Sequence, residues 1–217
     1  MTDATHDALV VTDLTRLRRM TENARPSRAE LQAVLAAGFV CHLGVVVDGT
    51  PMVVPTVYGA TADTLYVHGS SASRSLVTAP QATICVTVTH LDGIVLARSV
   101  FEHSINYRSA MVYGVPRVVS DPDEKLAGLK MLSEQCAPGQ WDYVRHPSRK
   151  ELAATTLLAL DFAQASVKIR SGPPDDADSD DALLGLWAGV IPLSLTRGVP
   201  VADPALPHDV AVPAHLL

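Results

Sequence analysis

The stretch Phe39-Val40-Cys41-His42-Leu43-Gly44-Val45-Val46-Val47-Asp48-Gly49-Thr50-Pro51-Met52-Val53-Val54-Pro55-Thr56-Val57-Tyr58 holds two apolar, β-branched runs joined by Asp-Gly. β-branched residues favour a pleated, half-buried surface. Asp-Gly suits a two-residue hairpin turn, whose central residues both need positive φ. The reading is therefore an antiparallel pair, 39–47 with 50–58. Downstream, 64–68, 83–89, 94–101 and 111–119 repeat the β-rich pattern, and six short strands with hairpin-length links predict a mostly β fold, a barrel with flanking helices. Residues 155–162 and 166–170 resume β character.

Helical signals flank these runs. Ser27 precedes Glu30 at capping-box spacing, and Leu31, Val34 and Leu35 follow at helical spacing, which predicts a helix over 28–37 with Gly38 as a left-handed C-cap. Asp121-Pro122-Asp123-Glu124 opens a second helix, with Leu126, Leu129 and Leu132 on one face, expected to cover one end of the barrel. The acidic, Pro-rich run 172–178 has no periodicity and reads as an exposed loop. Three segments result: an arm, 1–26, wrapping the domain; a barrel domain, 27–199; and an extended tail, 200–217.

Composition narrows the function. Apolar residues make up 47% and charged ones 18% of 217 residues, enough for one packed domain and too little charge for a disordered chain. The net charge of −6 argues against nucleic acid or an anionic membrane as partner. Cys41, Cys85 and Cys136 are odd in number, widely spaced and in apolar surroundings, as reduced core cysteines are. Acidic residues near the N-terminus do not suit a signal peptide, and no run of about 18 apolar residues occurs, so a cytoplasmic address is expected. No HExxH, GxSxG or Walker pattern is present, which removes support for zinc, hydrolase and triphosphatase chemistry.

The chemistry-bearing stretch is His68-Gly69-Ser70-Ser71-Ala72-Ser73-Arg74-Ser75. A strand end followed by hydroxyls and one guanidinium entering a helix outlines a phosphate cradle, since a planar guanidinium can give two parallel bonds to phosphate. Ser-rich turns also simply cap helices. A second cluster, Ser104-Ile105-Asn106-Tyr107-Arg108-Ser109, combines hydroxyls, an amide and Arg beside an aromatic where one strand turns toward the next, and would alone read as a turn. Pro55-Thr56 marks an edge or bulge where strand backbone can face a ligand.

The ordered set Val54-Pro55-Thr56-Val57-Tyr58, Leu65-Tyr66-Val67-His68-Gly69-Ser70 with Ser73-Arg74, His103 to Ala110, Glu151 to Thr155, Lys168-Ile169-Arg170-Ser171-Gly172 and Trp187 to Leu193 resembles the pyridoxamine 5′-phosphate oxidase-like flavoproteins, specifically the nitroimidazole-resistance (Nim-like) branch, over residues 27–197. The resemblance implies a six-stranded antiparallel FMN-binding split barrel, homodimeric, with FMN at the interface. It places Arg74, Ser70, Ser71 and Ser73 on the phosphate, and Pro55, Thr56 and Val57 along the ring. Asn106, Tyr107 and Arg108 approach from the second cluster, and Trp187 flanks the flavin. His68 is the titratable side chain beside the cradle. The implied function is flavin-based hydride or electron transfer to a small-molecule substrate, with no protein general acid or base. Glu151, Lys168 and Arg170 are read as a structural ion-pair set. One cation, Arg74, stands where many relatives have two, and Arg197 is nearly alone in the C-terminal part, so vitamin B6 oxidation is not expected. The competing readings are haem or a deazaflavin on the same barrel, and a ligand-binding module without turnover.

Overall fold

The computed structural model describes residues 7–207 and 210–217; the first six residues of the expected arm and His208 and Asp209 of the tail lie outside them. Helix α1 (Arg28–Ala36) leads into the hairpin β1 (Val40–Val47) and β2 (Thr50–Ala60). Asp48 and Gly49 both have positive φ, 50° and 75°, as the turn demands. Strand β3 (Thr64–Ser70), helix α2 (Arg74–Thr78), and strands β4 (Ile84–Leu96), β5 (Ser104–Gly114) and β6 (Arg117–Val118) follow. Helices α3 (Pro122–Cys136), α4 (Gln140–Tyr143) and α5 (Arg149–Ala154) then precede β7 (Thr155–Asp161), β8 (Gln164–Arg170) and β9 (Gly189–Pro192).

The antiparallel sheet runs β6-β7-β3-β2-β1-β4-β5-β8, with β9 pairing β4. It curls until the end of β5 backs on β7, where a Cβ on Gly114 would lie 2.9 Å from Leu160 Cδ1. Inside, alternate residues such as Cys41, Leu43, Val86, Val88, Val112 and Val167 build the core, as period-two strands require. Leu31, Val34 and Leu35 of α1 close it. This is the expected mostly β barrel with flanking helices, built, among the described residues, of nine strands rather than six.

Four local expectations are revised. The expected strands 83–89 and 94–101 merge into one, β4, which ends at Leu96, because a bulge between Leu91 and Gly93 absorbs the break that the sequence suggested, and Val100–Glu102 form a helical turn instead. The cluster at 104–109 is consequently strand, not turn, with Tyr107 opposite Arg170 and Ser109 opposite Lys168. Gly38 is not a left-handed cap, since its φ is not positive. Gly38 is needed instead because a Cβ there would collide with the His90 ring. Helix α3 lies on the outer face of β2, β3 and β7 instead of a barrel end; a Cβ on Gly59 would sit 2.7 Å from its Leu132 backbone N, and one on its Gly128 2.5 Å from Leu157 Cδ2.

The run 172–178 is anchored rather than simply exposed. Asp176 is 1% exposed, accepting from Arg98 backbone N–H (2.6 Å) and Nη1 (2.8 Å). In residues 7–26, Leu9 enters the core, Ala24 bridges to Lys168, and Arg25 N–H donates to Val167 O at 3.0 Å.

Candidate functional site

Strand β2 changes partners along its length. Residues 50–57 pair with β1, from Val47↔Thr50 to Val40↔Val57. Pairing with β3 covers Tyr58↔Val67, Gly59↔Tyr66 and Ala60↔Leu65, and among the described residues goes no further. Strand β3 continues against β7 through His68↔Leu157, Gly69↔Thr156 and Ser70↔Thr155. Beyond Tyr58 and Val67 the two strands therefore diverge, leaving backbone edges unpaired at Pro55, Thr56 and Val57 on one side and at His68, Gly69 and Ser70 on the other. Unpaired backbone groups of a sheet are obligatory hydrogen-bonding groups that water or a ligand must satisfy.

The serine loop closes the wide end of this opening. Gly69 lets α2 pack hard against β3, since a Cβ there would fall 2.7 Å from Leu76 Cδ1. Several loop donors are spent internally: Ser71 N–H on Ala154 O (2.9 Å), Ser73 N–H on Ser70 O (2.9 Å), and Ala72 N–H on Ser70 Oγ (3.2 Å). The Ser73 and Ser75 hydroxyls share a 3.1 Å bond. Arg74 does not point into the loop. Its Nη2 donates to Asp48 Oδ2 at 2.8 Å, with the two side chains 68% and 85% exposed, so a carboxylate from the β1–β2 turn ties the two lips of the opening together. An exposed pair of this kind is weakly held.

His68 alternates with core residues Leu65 and Val67 and shares the outer face with Tyr66, not the barrel core. Its Nδ1 is buried without a hydrogen-bond partner. Burial pushes the imidazole pKa below its ordinary value, so the ring is neutral at neutral pH. A buried orphan ring nitrogen beside unpaired strand edges is unusual and marks a place where a ligand can complete the bonding.

The second cluster lies elsewhere within the chain, with β1 and β4 between β2 and β5. Asn106 is buried, accepting from Arg170 Nη1 (2.7 Å) and donating to Gly172 O (3.0 Å). Arg108 grips Asp92 through Nε and Nη2, each at 2.9 Å, and holds that carboxyl below the usual carboxylate range. Tyr107 lies under Lys168 Nζ, 6.0 Å from the ring centroid. Trp187 is 68% exposed just before β9. Pro55, Thr56, Val57, His68, Ser70, Ser71, Ser73 and Arg74 thus share one opening, while Asn106, Tyr107, Arg108 and Trp187 do not reach it within one chain. Glu151, Lys168 and Arg170 form no common ion-pair set: Glu151 pairs with Arg145, Arg170 with Asp175, and Lys168 with the Tyr107 ring. Glu151 and Arg170 pair with charges close to them in sequence, Arg145 and Asp175, whereas Lys168 and Arg170 also reach across to Tyr107 and Asn106 of β5. The site residues that sequence reasoning missed are Asp48 and Asp92. Their signals were present, as a turn Asp and as an Asp beside the bulge Gly93.

One further surface adjoins the opening. Val40, Pro55, Val57, Thr87 and Met111 share the outer sheet face through the pairs Val40↔Val57, His42↔Pro55, His42↔Thr87 and Thr87↔Met111. Val53 is 66% exposed and Val46 57%, so this face is apolar and uncovered.

The family model described as pyridoxamine 5′-phosphate oxidase matches residues 27–169. The flavocytochrome Anf3 from Azotobacter vinelandii is 36% identical, with a TM-score of 0.90 over 94% of this chain and 95% of its own. The FAD and heme binding protein from Mycobacterium smegmatis is 38% identical, with a TM-score of 0.84 over 89% of this chain and 95% of its own. A 5-nitroimidazole antibiotic resistance protein from Bacteroides thetaiotaomicron shares the fold, at 20% identity and a TM-score of 0.57 over 67% of this chain and 86% of its own. Among curated proteins, none matches the chain. The matched family covers the hairpin, the diverging strands and the serine loop from which the opening is built, and the chain belongs to the pyridoxamine 5′-phosphate oxidase family.

Proposed function

We propose that this protein is an FMN-binding flavoprotein that transfers hydride or electrons to a small molecule, the ring lying along the opening between β2 and β3. The observation that carries this reading is the divergence of the strands after Tyr58 and Val67, which leaves backbone donors and acceptors along Pro55, Thr56 and Val57 free to meet the edge of a planar heterocycle. The hydroxyls of Ser70, Ser71 and Ser73 and the guanidinium of Arg74 would hold the phosphate once Arg74 leaves Asp48. Two similar structures carry flavin-related descriptions, a flavocytochrome and an FAD and heme binding protein, which supports a flavin in this fold.

When bound, a flavin supplies the hydride or single-electron chemistry, and the protein supplies binding, orientation and electrostatics. Val57, packed beside Tyr66 on the outer face, would shield one side of the ring from water. Neutral His68 adds no charge beside it, because burial opposes its protonation, and its unpartnered Nδ1 is left to meet a ligand group. The uncovered apolar face around Val40, Val46 and Val53 is proposed to pack against a second copy, and a homodimer would bring Trp187, Asn106 and Tyr107 of a partner toward the opening, Arg108 staying with Asp92. A cytoplasmic address belongs to the same proposal. No helix among the described residues is long and apolar enough to cross a membrane.

A second reading is favoured by one observation. A half-buried, neutral histidine with an unsatisfied ring nitrogen would also suit a haem iron, which His68 would hold. Both similar structures at more than a third identity have descriptions that include a haem or cytochrome component.

The visible spectrum of freshly purified protein separates these readings. Flavin bands with retention weakened by Arg74→Ala support the proposal. A Soret band abolished by His68→Ala supports haem. A colourless protein that takes up neither FMN nor haem refutes both.

A further inference from the structure

Apart from the opening between β2 and β3, and sharing no residue with it, the chain has a large recess. It measures about 890 Å³ and is lined by the end of α1, the β4 bulge, Arg108, Gln135 and residues 193–197. Small-molecule sites typically span about 300–1,000 Å³. The recess exists because residues 193–197 form a strap fixed at both ends. Leu193 N–H donates to Asp92 O at 3.1 Å, and Arg197 Nη2 donates to Cys136 O at 2.6 Å. Between those anchors the strap stands off the barrel, leaving Leu195 88% and Leu91 52% exposed.

The polar groups of this recess are set in place rather than loose. The β4 bulge between Leu91 and Gly93 brings Asp92 to Arg108, and a bulge is a common way to re-aim a side chain. Asp92 takes Nε and Nη2 of Arg108, which fixes the guanidinium plane and leaves Nη1 free of Asp92. His90 is tucked against Gly38, and its Nε2–H donates to Val34 O at 2.9 Å, which fixes the ring. Gln135 donates from Nε2 to Leu35 O and Gly38 O, which leaves its Oε1 as an acceptor. Arg197 pairs with no carboxylate among the described residues and gives the recess, with Arg108 and Asp92, a net positive charge of one. Ala36, Ala37, Phe39, Leu91 and Leu193 supply apolar wall.

We propose that the recess beneath the 193–197 strap binds an amphipathic organic anion, its acidic head on Arg197 and the Nη1 edge of Arg108 and its apolar body against Phe39, Leu91 and Leu193. The site is independent of whether a flavin occupies the opening between β2 and β3. A monoanion balances the charge, and burial of an aromatic or aliphatic body removes the leucines of the strap from water.

The full chain is titrated with 1-anilinonaphthalene-8-sulfonate, followed by fluorescence, in parallel with N-phenyl-1-naphthylamine, which lacks the sulfonate. The expected result is saturable binding of the sulfonate at one site per chain, stronger than that of the neutral probe and not displaced by excess FMN. Arg197→Gln, which removes the cation together with the strap's bond to Cys136 O, weakens it about tenfold, whereas Arg197→Lys, which keeps a cation and a donor, retains most of it. Ala37→Trp, which narrows the mouth, weakens both probes. Equal affinity for the two probes, displacement by FMN, or binding unchanged in Arg197→Gln and Ala37→Trp overturns the proposal.

Discussion

Asp48→Asn tests the role of Arg74 with little disturbance to the fold. Asp48 sits at φ 50° in the β1–β2 turn, a conformation that asparagine tolerates as well as aspartate. Its carboxylate accepts from Arg74 Nη2 at 2.8 Å, with both side chains largely exposed. Such a pair contributes about 0–1 kcal/mol to stability. The substitution should therefore leave the urea midpoint unchanged to within about 0.5 kcal/mol. Binding should respond differently. A phosphate on the serine loop must detach Arg74 from Asp48 and then meets a like charge on that carboxylate. Removing both costs gains up to about 1 kcal/mol, or roughly two- to fivefold tighter FMN binding at low ionic strength. The gain should shrink at about 1 M salt, where the screening length falls to about 3 Å. Quenching of flavin fluorescence during titration of apo-protein reads the affinity directly. FMN affinity that is unchanged or weaker in Asp48→Asn at low salt would show that Arg74 does not serve the phosphate.

Further outcomes follow from the packing and the titratable groups. Gly59→Ala places a Cβ 2.7 Å from the α3 backbone and should lower stability by about 1–3 kcal/mol, seen as a lower urea midpoint with an unchanged m-value. Asp176→Ala leaves Arg98 without its buried partner and should cost about 3–5 kcal/mol, measured the same way, with Asp176→Asn less damaging. His68 is held neutral by burial in the folded chain, so the unfolded state binds more protons below its ordinary pKa of 6.5. Stability is full above that value and is lost as pH falls toward the depressed folded pKa; in apo-protein, urea midpoints between pH 7.5 and 5 should fall more steeply for wild type than for His68→Leu. Cys41 is buried, with its thiol pushed up to about 12, and should resist a thiol reagent at pH 8 until urea unfolds the chain.

The hairpin, the first and third helices and the last two long strands were legible because local signals fixed them. Asp48-Gly49 allows positive φ at both positions, and Ser27 and Asp121 do cap their helices, accepting from Glu30 N–H and Glu124 N–H. The β4 bulge was not legible, because an Asp-Gly pair inside an apolar run looks the same whether the chain turns back or merely gains one residue. Nor was the seat of α3. Its apolar face said only that it packs somewhere, and the choice depends on the matched bare backbones of Gly59 and Gly128, far apart in sequence. The candidate site was read as a loop with one guanidinium, and that loop is where the strands part. Its tie to Asp48 escaped notice because a turn aspartate already had a sufficient explanation in backbone geometry. Asn106 and Arg108 show the converse: polar residues in a cluster that suits an anion, each committed to a protein partner by strand pairing that the sequence did not disclose.

Amide hydrogen exchange with and without FMN tests the placement of the ring most directly, because the opening is defined by unpaired backbone. Added FMN should slow exchange in peptides spanning 51–57 and 68–74, and leave β8 unchanged. Protection confined to 104–108, or no change at 51–57 under saturating FMN, would contradict a flavin held between β2 and β3.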